Sequence, residues 1–202
     1  MRSRFEGQIA GVGSTSGTRI VVGNWRSTPL GPFSDAMVEL ADGHRVLLAD
    51  HAEAADFIAA TYTFDEIRVE PVVVSVAGGT WRLRSTSLDL DLTVGRRTSL
   101  GWALRAVPGP VASAPWWCSV TDAVARRLLT GVRTKGTAGN GRREWYGATD
   151  SRRVVAMTGS FEGQDLGALA PVDPPATFGF SSTPKRPCVT TVVTTVEAPS
   201  QG

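Results

Sequence analysis

Two short turns constrain the fold of this chain more than any other feature. Asp42-Gly43 lies between apolar runs at residues 36–40 and 45–48, and Gly78-Gly79 lies between residues 67–76 and 81–84. A type I′ turn needs positive φ at both central residues, which these dipeptides tolerate, so each reads as a β-hairpin. Further strands are expected at residues 18–22, 144–148, 153–158 and 188–196, the last rich in Val and Thr. Pro71 cannot donate to a sheet ladder, so it marks an edge or a bulge in the arm 67–76. The apolar phase shifts between Trp81, Leu83 and Leu88, Leu90, Leu92, Val94, which asks for a bulge or a tight turn at residues 85–87. Beyond it, Asp89, Asp91 and Thr93 occupy the face opposite the leucines.

Two helices are expected. The first starts at Asp50 as N-cap, with Glu53 completing a capping box and Ala54, Phe57, Ile58 and Tyr62 on one face. The second starts at Ser119, with Val120, Val124 and Leu128 as its stripe and Gly131 at its end. The resulting fold class is α+β, predominantly antiparallel β: a curled sheet or barrel-like cone with two flanking helices. It is expected as a single barrel-like domain over residues 1–197 with a flexible C-terminal tail at 198–202. A sheet of this length must curl or pair to protect its edges, and the inward-facing side chains of such a barrel can surround one small ligand.

Composition excludes several chemistries. The chain has 202 residues, 42% hydrophobic and 20% charged, with a net charge of +2 and no basic stripe, so nucleic acid is not expected as a partner. No apolar run suits a signal peptide or a membrane span, and Cys118 and Cys188 stand far apart, so free thiols and a cytoplasmic location are expected. There is no zinc spacing, Walker loop or nucleophile elbow, so neither a metal nor a cofactor is expected. Gly11-Val12-Gly13 reads as a turn. His44 and His51 read as surface residues. Of 21 basic residues only Lys135 and Lys185 are lysines, which restricts lysine chemistry to two positions.

Carboxylates remain. Residues 24–35 read as an irregular loop of Pro, Gly, Ser and aromatic residues that ends on Asp35 at the start of a strand, and such loops often carry function. The aromatic pairs Trp116-Trp117 and Trp145-Tyr146 suit either a core or a pocket.

Two segments resemble the acetoacetate decarboxylase family. Gly31-Pro32-Phe33-Ser34-Asp35 is similar to its G-x-Y-x-E run, with Phe for Tyr and Asp for Glu. Gly141-Arg142-Arg143-Glu144-Trp145-Tyr146-Gly147, followed by Arg152-Arg153, is similar to its G-R-E segment and lysine pair. The resemblance implies decarboxylase-like chemistry on a barrel-like fold, with an acid entering the active site at Asp35. The departure is chemical: Arg152 and Arg153 stand where the lysines would be. A Schiff base needs a neutral amine, which arginine does not supply. Arginine can instead hold a carboxylate in bidentate fashion. Lys135 lies in a stretch, 134–140, that reads as an exposed loop.

The expected function is that of a small-molecule-binding barrel-like domain, with an organic acid among the candidate ligands. Asp35 and Glu144 are the expected catalytic residues; Trp25, Arg26, Phe33, Arg142, Trp145, Tyr146 and Arg152 are the expected ligand-binding residues. The alternatives are a decarboxylase-like enzyme acting on a carbonyl or keto-acid substrate, and a structural or interaction protein. A homodimer is expected if residues 188–196 form an edge strand. No membrane partner is expected.

Overall fold

A computed structural model describes residues 2–112, 114, 116–118, 121–122, 132–137, 141–179 and 181–197. Its main strands are β1 (Arg2–Ser14), β2 (Arg19–Ser27), β3 (Phe33–Glu39), β4 (Arg45–Ala49), β5 (Glu66–Val69), β6 (Val73–Ala77), β7 (Thr80–Arg84) and β8 (Leu88–Arg97). The short β9 (Lys135–Thr137) precedes the long β10 (Arg143–Phe161), and β11 (Gln164–Asp165) and β12 (Leu169–Ala170) lead to β13 (Cys188–Glu197). Helix α1 (Ala52–Ala59) joins β4 to β5, while α2 (Ser99–Arg105) and α3 (Gly109–Ala112) follow β8.

Among the described residues all strands belong to one sheet, whose main path runs β5-β4-β3-β2-β1-β13-β10-β8-β7-β6. Every pairing on it is antiparallel except β4 with β5, which α1 bridges. One link constrains how far the path must curl. β5 and β6 are its two ends, yet only Glu70, Pro71 and Val72 join them. That link spans roughly 14 Å at most, whereas ten flat strands would spread their ends about 43 Å apart. The sheet therefore curls until its two end strands come within reach of that link. Across the seam Arg68 bonds Ser87 Oγ at 3.0 Å and pairs with Glu162 at 2.6 Å, and Glu70 accepts from the Ser87 amide at 2.9 Å. Pro71 stands where the chain crosses from one edge to the other, so the expected arm 67–76 is two edge strands.

One face of the curled sheet is filled solid. Val12, Val22, Val38 and Leu48 from one half meet Leu83, Leu90, Leu92, Met157 and Phe161 from the other in one buried cluster. The expectation that the barrel's inward side chains surround a ligand thus meets a packed core. A second cluster, on the opposite face, packs Phe5, Phe33, Leu47, Ala49 and Val196 against Ala54, Ala55 and Ile58 of α1.

Several local expectations change. Gly11-Val12-Gly13 lies within β1, in the middle of the sheet, and not in a turn. A Cβ on Gly11 would fall 2.4 Å from Thr183, and one on Gly13 2.2 Å from the Pro171 carbonyl oxygen. The glycines let Thr183 and Pro171 lie close against the strand. Residues 24–35 are a hairpin rather than a long loop: Asn24 pairs with Ser34 and Trp25 with Phe33, leaving a connection at 28–32. The phase shift at 85–87 is a tight turn between β7 and β8. β13 lies between β1 and β10, so it is not an edge open to pairing across a dimer. The N-cap of α1 is His51, whose Nδ1 accepts from the Ala54 amide, and Asp50 instead accepts from the Val72 amide at 3.5 Å. Of the helix expected from Ser119, residues 119, 120 and 123–131 lie outside the described residues, as does the tail at 198–202. α2 was not apparent in the sequence; Thr98 caps it through the Gly101 amide. Cys118 and Cys188 are both free and buried, and no helix among the described residues is long and apolar enough to cross a membrane.

Candidate ligand-binding cavity

Side chains alternate across a strand, so the strands that fill the core also present a second set of residues on the other face. On β1, β2, β3, β13 and β10 that set includes Ile9, Val21, Met37, Val192 and Ala148, and it lines a cavity of about 840 Å³. Phe57, Ile58 and Tyr62 at the end of α1, Leu100 and Leu104 of α2, and Phe178 in the segment 176–184 supply further walls. The volume lies within the usual range for small-molecule sites, and the walls are mainly apolar.

Asp35 sits on the β3 wall, 2% exposed. Its cross-strand partner is Gly23, where a Cβ would lie 2.3 Å from Asp35 Oδ1 and 2.5 Å from Trp25 Nε1. The missing side chain leaves room for the indole N–H of Trp25 to donate to Asp35 Oδ1 at 2.8 Å. Among the described residues no hydrogen bond reaches Oδ2. Burial pushes the Asp35 carboxyl up to about 7, the Trp25 hydrogen bond pulling the other way. Phe5, Phe33 and Phe57 continue the aromatic wall: Trp25 stands edge-on to Phe5 at 6.0 Å and 6.4 Å from Phe33, and Phe5 lies 4.7 Å from Phe57.

Glu144 lies on the β10 wall, 1% exposed. Tyr62 Oη and Tyr146 Oη each lie 3.1 Å from Glu144 Oε2, and the two hydroxyls are hydrogen-bonded to each other. Both tyrosine hydroxyls donate to the Glu144 carboxyl. Burial pushes Glu144 up to about 7 against the lowering effect of the two tyrosine bonds and of the Arg142 charge. Both tyrosine hydroxyls are pushed well above their ordinary range, mainly by burial, and stay protonated.

The remaining expected residues divide. Trp25, Phe33 and Tyr146 line the cavity with the two carboxyls. Arg142 does not: its Nη1 donates to the Phe57 carbonyl at 3.1 Å and to Thr61 Oγ1 at 2.9 Å, tying the end of α1 to the sheet. Arg26 and Arg152 are exposed and line no cavity wall, and Trp145 is buried on the other face of β10. Strand alternation accounts for that split, since neighbours in sequence face opposite ways. Asp35 and Glu144 belong to strands four steps apart in the sheet, and no hydrogen bond joins them. They are polar points on separate walls rather than a carboxylate pair. Asp89 and Asp91 lie outside the cavity, where Arg84 pairs with both.

Three lining residues carried no signal in the sequence. Tyr62 reads as one more apolar position of a helix face. Arg133 lines the cavity beside Asp122, 3.5 Å away, in a segment without periodicity. Thr194 is 4% exposed and lines the wall, and its Oγ1 has no hydrogen-bond partner. A threonine in a strand is ordinary, so only its surroundings distinguish it. Neither lysine reaches the cavity: Lys135 sits on β9, and Lys185 pairs with Asp173 at 2.6 Å.

No family model and no curated protein matches the sequence. Among solved structures the chain is similar to an acetoacetate decarboxylase from Legionella pneumophila subsp. pneumophila str. Philadelphia 1, at 8% identity and a TM-score of 0.45, over 98% of this chain and 85% of that one. It is similar also to a structure described under structural studies of acetoacetate decarboxylase, at 7% identity and a TM-score of 0.45, over 96% and 84% of the two chains. The likeness concerns the course of the chain around a curled sheet.

Proposed function

We propose that this chain binds a small, largely apolar organic molecule in the cavity, with the Asp35–Trp25 pair and the Glu144–tyrosine group as its polar contacts. The observation that carries this reading is an apolar cavity of about 840 Å³ with two buried carboxyls on its walls. Buried polar groups in an apolar pocket fix a ligand's orientation, while the apolar walls supply affinity. An organic acid held by Arg142 or Arg152 is not favoured, because one guanidinium is engaged at α1 and the other is exposed. The test is fluorescence enhancement of the uncharged probe N-phenyl-1-naphthylamine, compared between the native chain and Ala148→Trp, which places an indole in the cavity. Enhancement that falls at least about tenfold in the variant is expected; none in the native chain refutes the reading.

A second reading is proton-transfer catalysis. A carboxyl pushed up to about 7 exchanges a proton readily near neutral pH, as Asp35 and Glu144 would. Lysine-based Schiff-base chemistry has no group in this chain's cavity, so the carboxyls would act directly. This reading expects α-proton exchange of a bound ketone in deuterated water, abolished in Asp35→Asn.

A further inference from the structure

The cavity presents an imbalance of charge and of hydrogen bonding that points to the chemistry of its ligand. Asp35 has one polar contact, the Trp25 indole, and its Oδ2 is unpartnered among the described residues. Among the described residues no cation pairs with it: Arg133, on the cavity wall, lies 3.5 Å from Asp122, and Arg142 donates to the Phe57 carbonyl and Thr61. The rings of Trp25, Phe5 and Phe33 make a continuous surface next to the carboxyl, and the face of an aromatic ring attracts a cation. The open oxygen of the Asp35 carboxyl thus lies beside aromatic faces.

We infer that the ligand is an organic cation, a protonated amine on an apolar or aromatic body, and that Asp35 is the group that pairs with it. This rests on the binding reading above. An ammonium supplies the charge and the N–H donor that Asp35 Oδ2 lacks, and it sits against Trp25. A carboxylate ligand would add a third acid to a wall that already holds two, and a neutral ligand would leave Asp35 without a counter-charge.

The experiment is calorimetry of the native chain at about pH 8, where Asp35 is mainly ionised, with three probes of one shape: 2-phenylethylamine, 2-phenylethanol and phenylacetate. The amine is expected to bind at least about tenfold more tightly than either of the others. Asp35→Asn, which keeps an oxygen for the Trp25 indole, should remove that advantage and leave the alcohol within about threefold. Asp89→Asn, on the exposed face of β8, should change nothing. Equal or tighter binding of the alcohol or the acid overturns the inference, as does an equal or larger loss of the amine in Glu144→Gln. The ranking on the native chain decides even if Asp35→Asn does not fold. If N-phenyl-1-naphthylamine binds and the amine does not, the cation assignment fails and the binding function stands. If nothing binds, both fail.

Discussion

Asp35 shows how a single side chain becomes chemically unusual through its cross-strand neighbour. Gly23 opposite it gives up a side chain, Trp25 fills the space, and the carboxyl is desolvated against an indole. The consequence reaches stability. Asp35 and Glu144 both titrate near 7 in the fold, well above carboxyls in an unfolded chain. Between about pH 4 and 7 the folded state holds more protons, so stability falls as pH rises through that window. The limit is roughly 3–4 kcal/mol per group. Asp65, held down to about 2 by its hydrogen bonds from Arg45, acts in the opposite sense, losing its contribution as pH falls below about 4. Thermal denaturation across pH should therefore show a melting temperature that peaks between about pH 4 and 5 and then declines. The double variant Asp35→Asn, Glu144→Gln should flatten the decline. A native melting temperature that climbs steadily to pH 8 would contradict this. The sequence pointed to Asp35 by its place at the end of a Pro/Gly stretch. It could not show Tyr62 meeting Glu144, because 82 residues separate them and only the packing of α1 on the sheet closes the distance.

Among the elements, Thr177 is tied to the sheet by a buried carboxylate. Glu39 at the end of β3 pairs with Arg19 of β2 at 3.0 Å, and both side chains are nearly fully buried. The same carboxylate accepts from the Thr177 amide at 2.7 Å and from its hydroxyl at 3.0 Å. Thr177 stands between Ala176 and Phe178, which both line the cavity. Glu39→Ala would leave the Arg19 charge buried without its partner, at a cost of about 3–5 kcal/mol. Hydrogen exchange at the Thr177 amide should rise in that variant, and Glu39→Gln, which keeps an acceptor, should restore much of the protection. Unchanged exchange at Thr177 in Glu39→Ala would show that Thr177 is held elsewhere. Elements with local signals were legible in the sequence: the Asp42-Gly43 and Gly78-Gly79 hairpins, and the first helix to within its cap. β1 was not, since its glycines answer to Thr183 and Pro171, far along the chain. The tetrapeptide Phe-Glu-Gly-Gln makes the same point. At Phe5 it lies in the middle of β1, and at Phe161 it turns a hairpin with Glu162 at φ +50°.

In the whole molecule, one sheet does two jobs, a solid core on one face and a cavity wall on the other. The curl was legible because many strands in one chain of this length must protect their edges. The sheet order was not: β1 pairs with β13, and no local pattern announces a partner nearly the full chain away. Nor could alternation say which face was filled, since either set of residues is apolar enough. The two faces should respond differently to truncation. Leu90→Ala, in the packed cluster, should cost about 3–4 kcal/mol in urea denaturation. Ile9→Ala, on the half-buried cavity wall, should cost about 1 kcal/mol and act mainly on which probe binds. Equal costs would mean that the cavity wall is as tightly packed as the core.

That division makes residue parity a rule for divergence. Along β1, Ala10 and Val12 are locked in the packed cluster, while Ile9, next to Ala10 but on the opposite face, faces the cavity. Drift at the first kind of position threatens the scaffold, and drift at the second only reshapes what it can hold. A lineage built on this sheet could reshape the cavity by exchanging every other residue of a few strands, while the intervening residues stayed almost fixed. Two descendants would then share their core and little else, each strand carrying an inherited text interleaved with a newly written one.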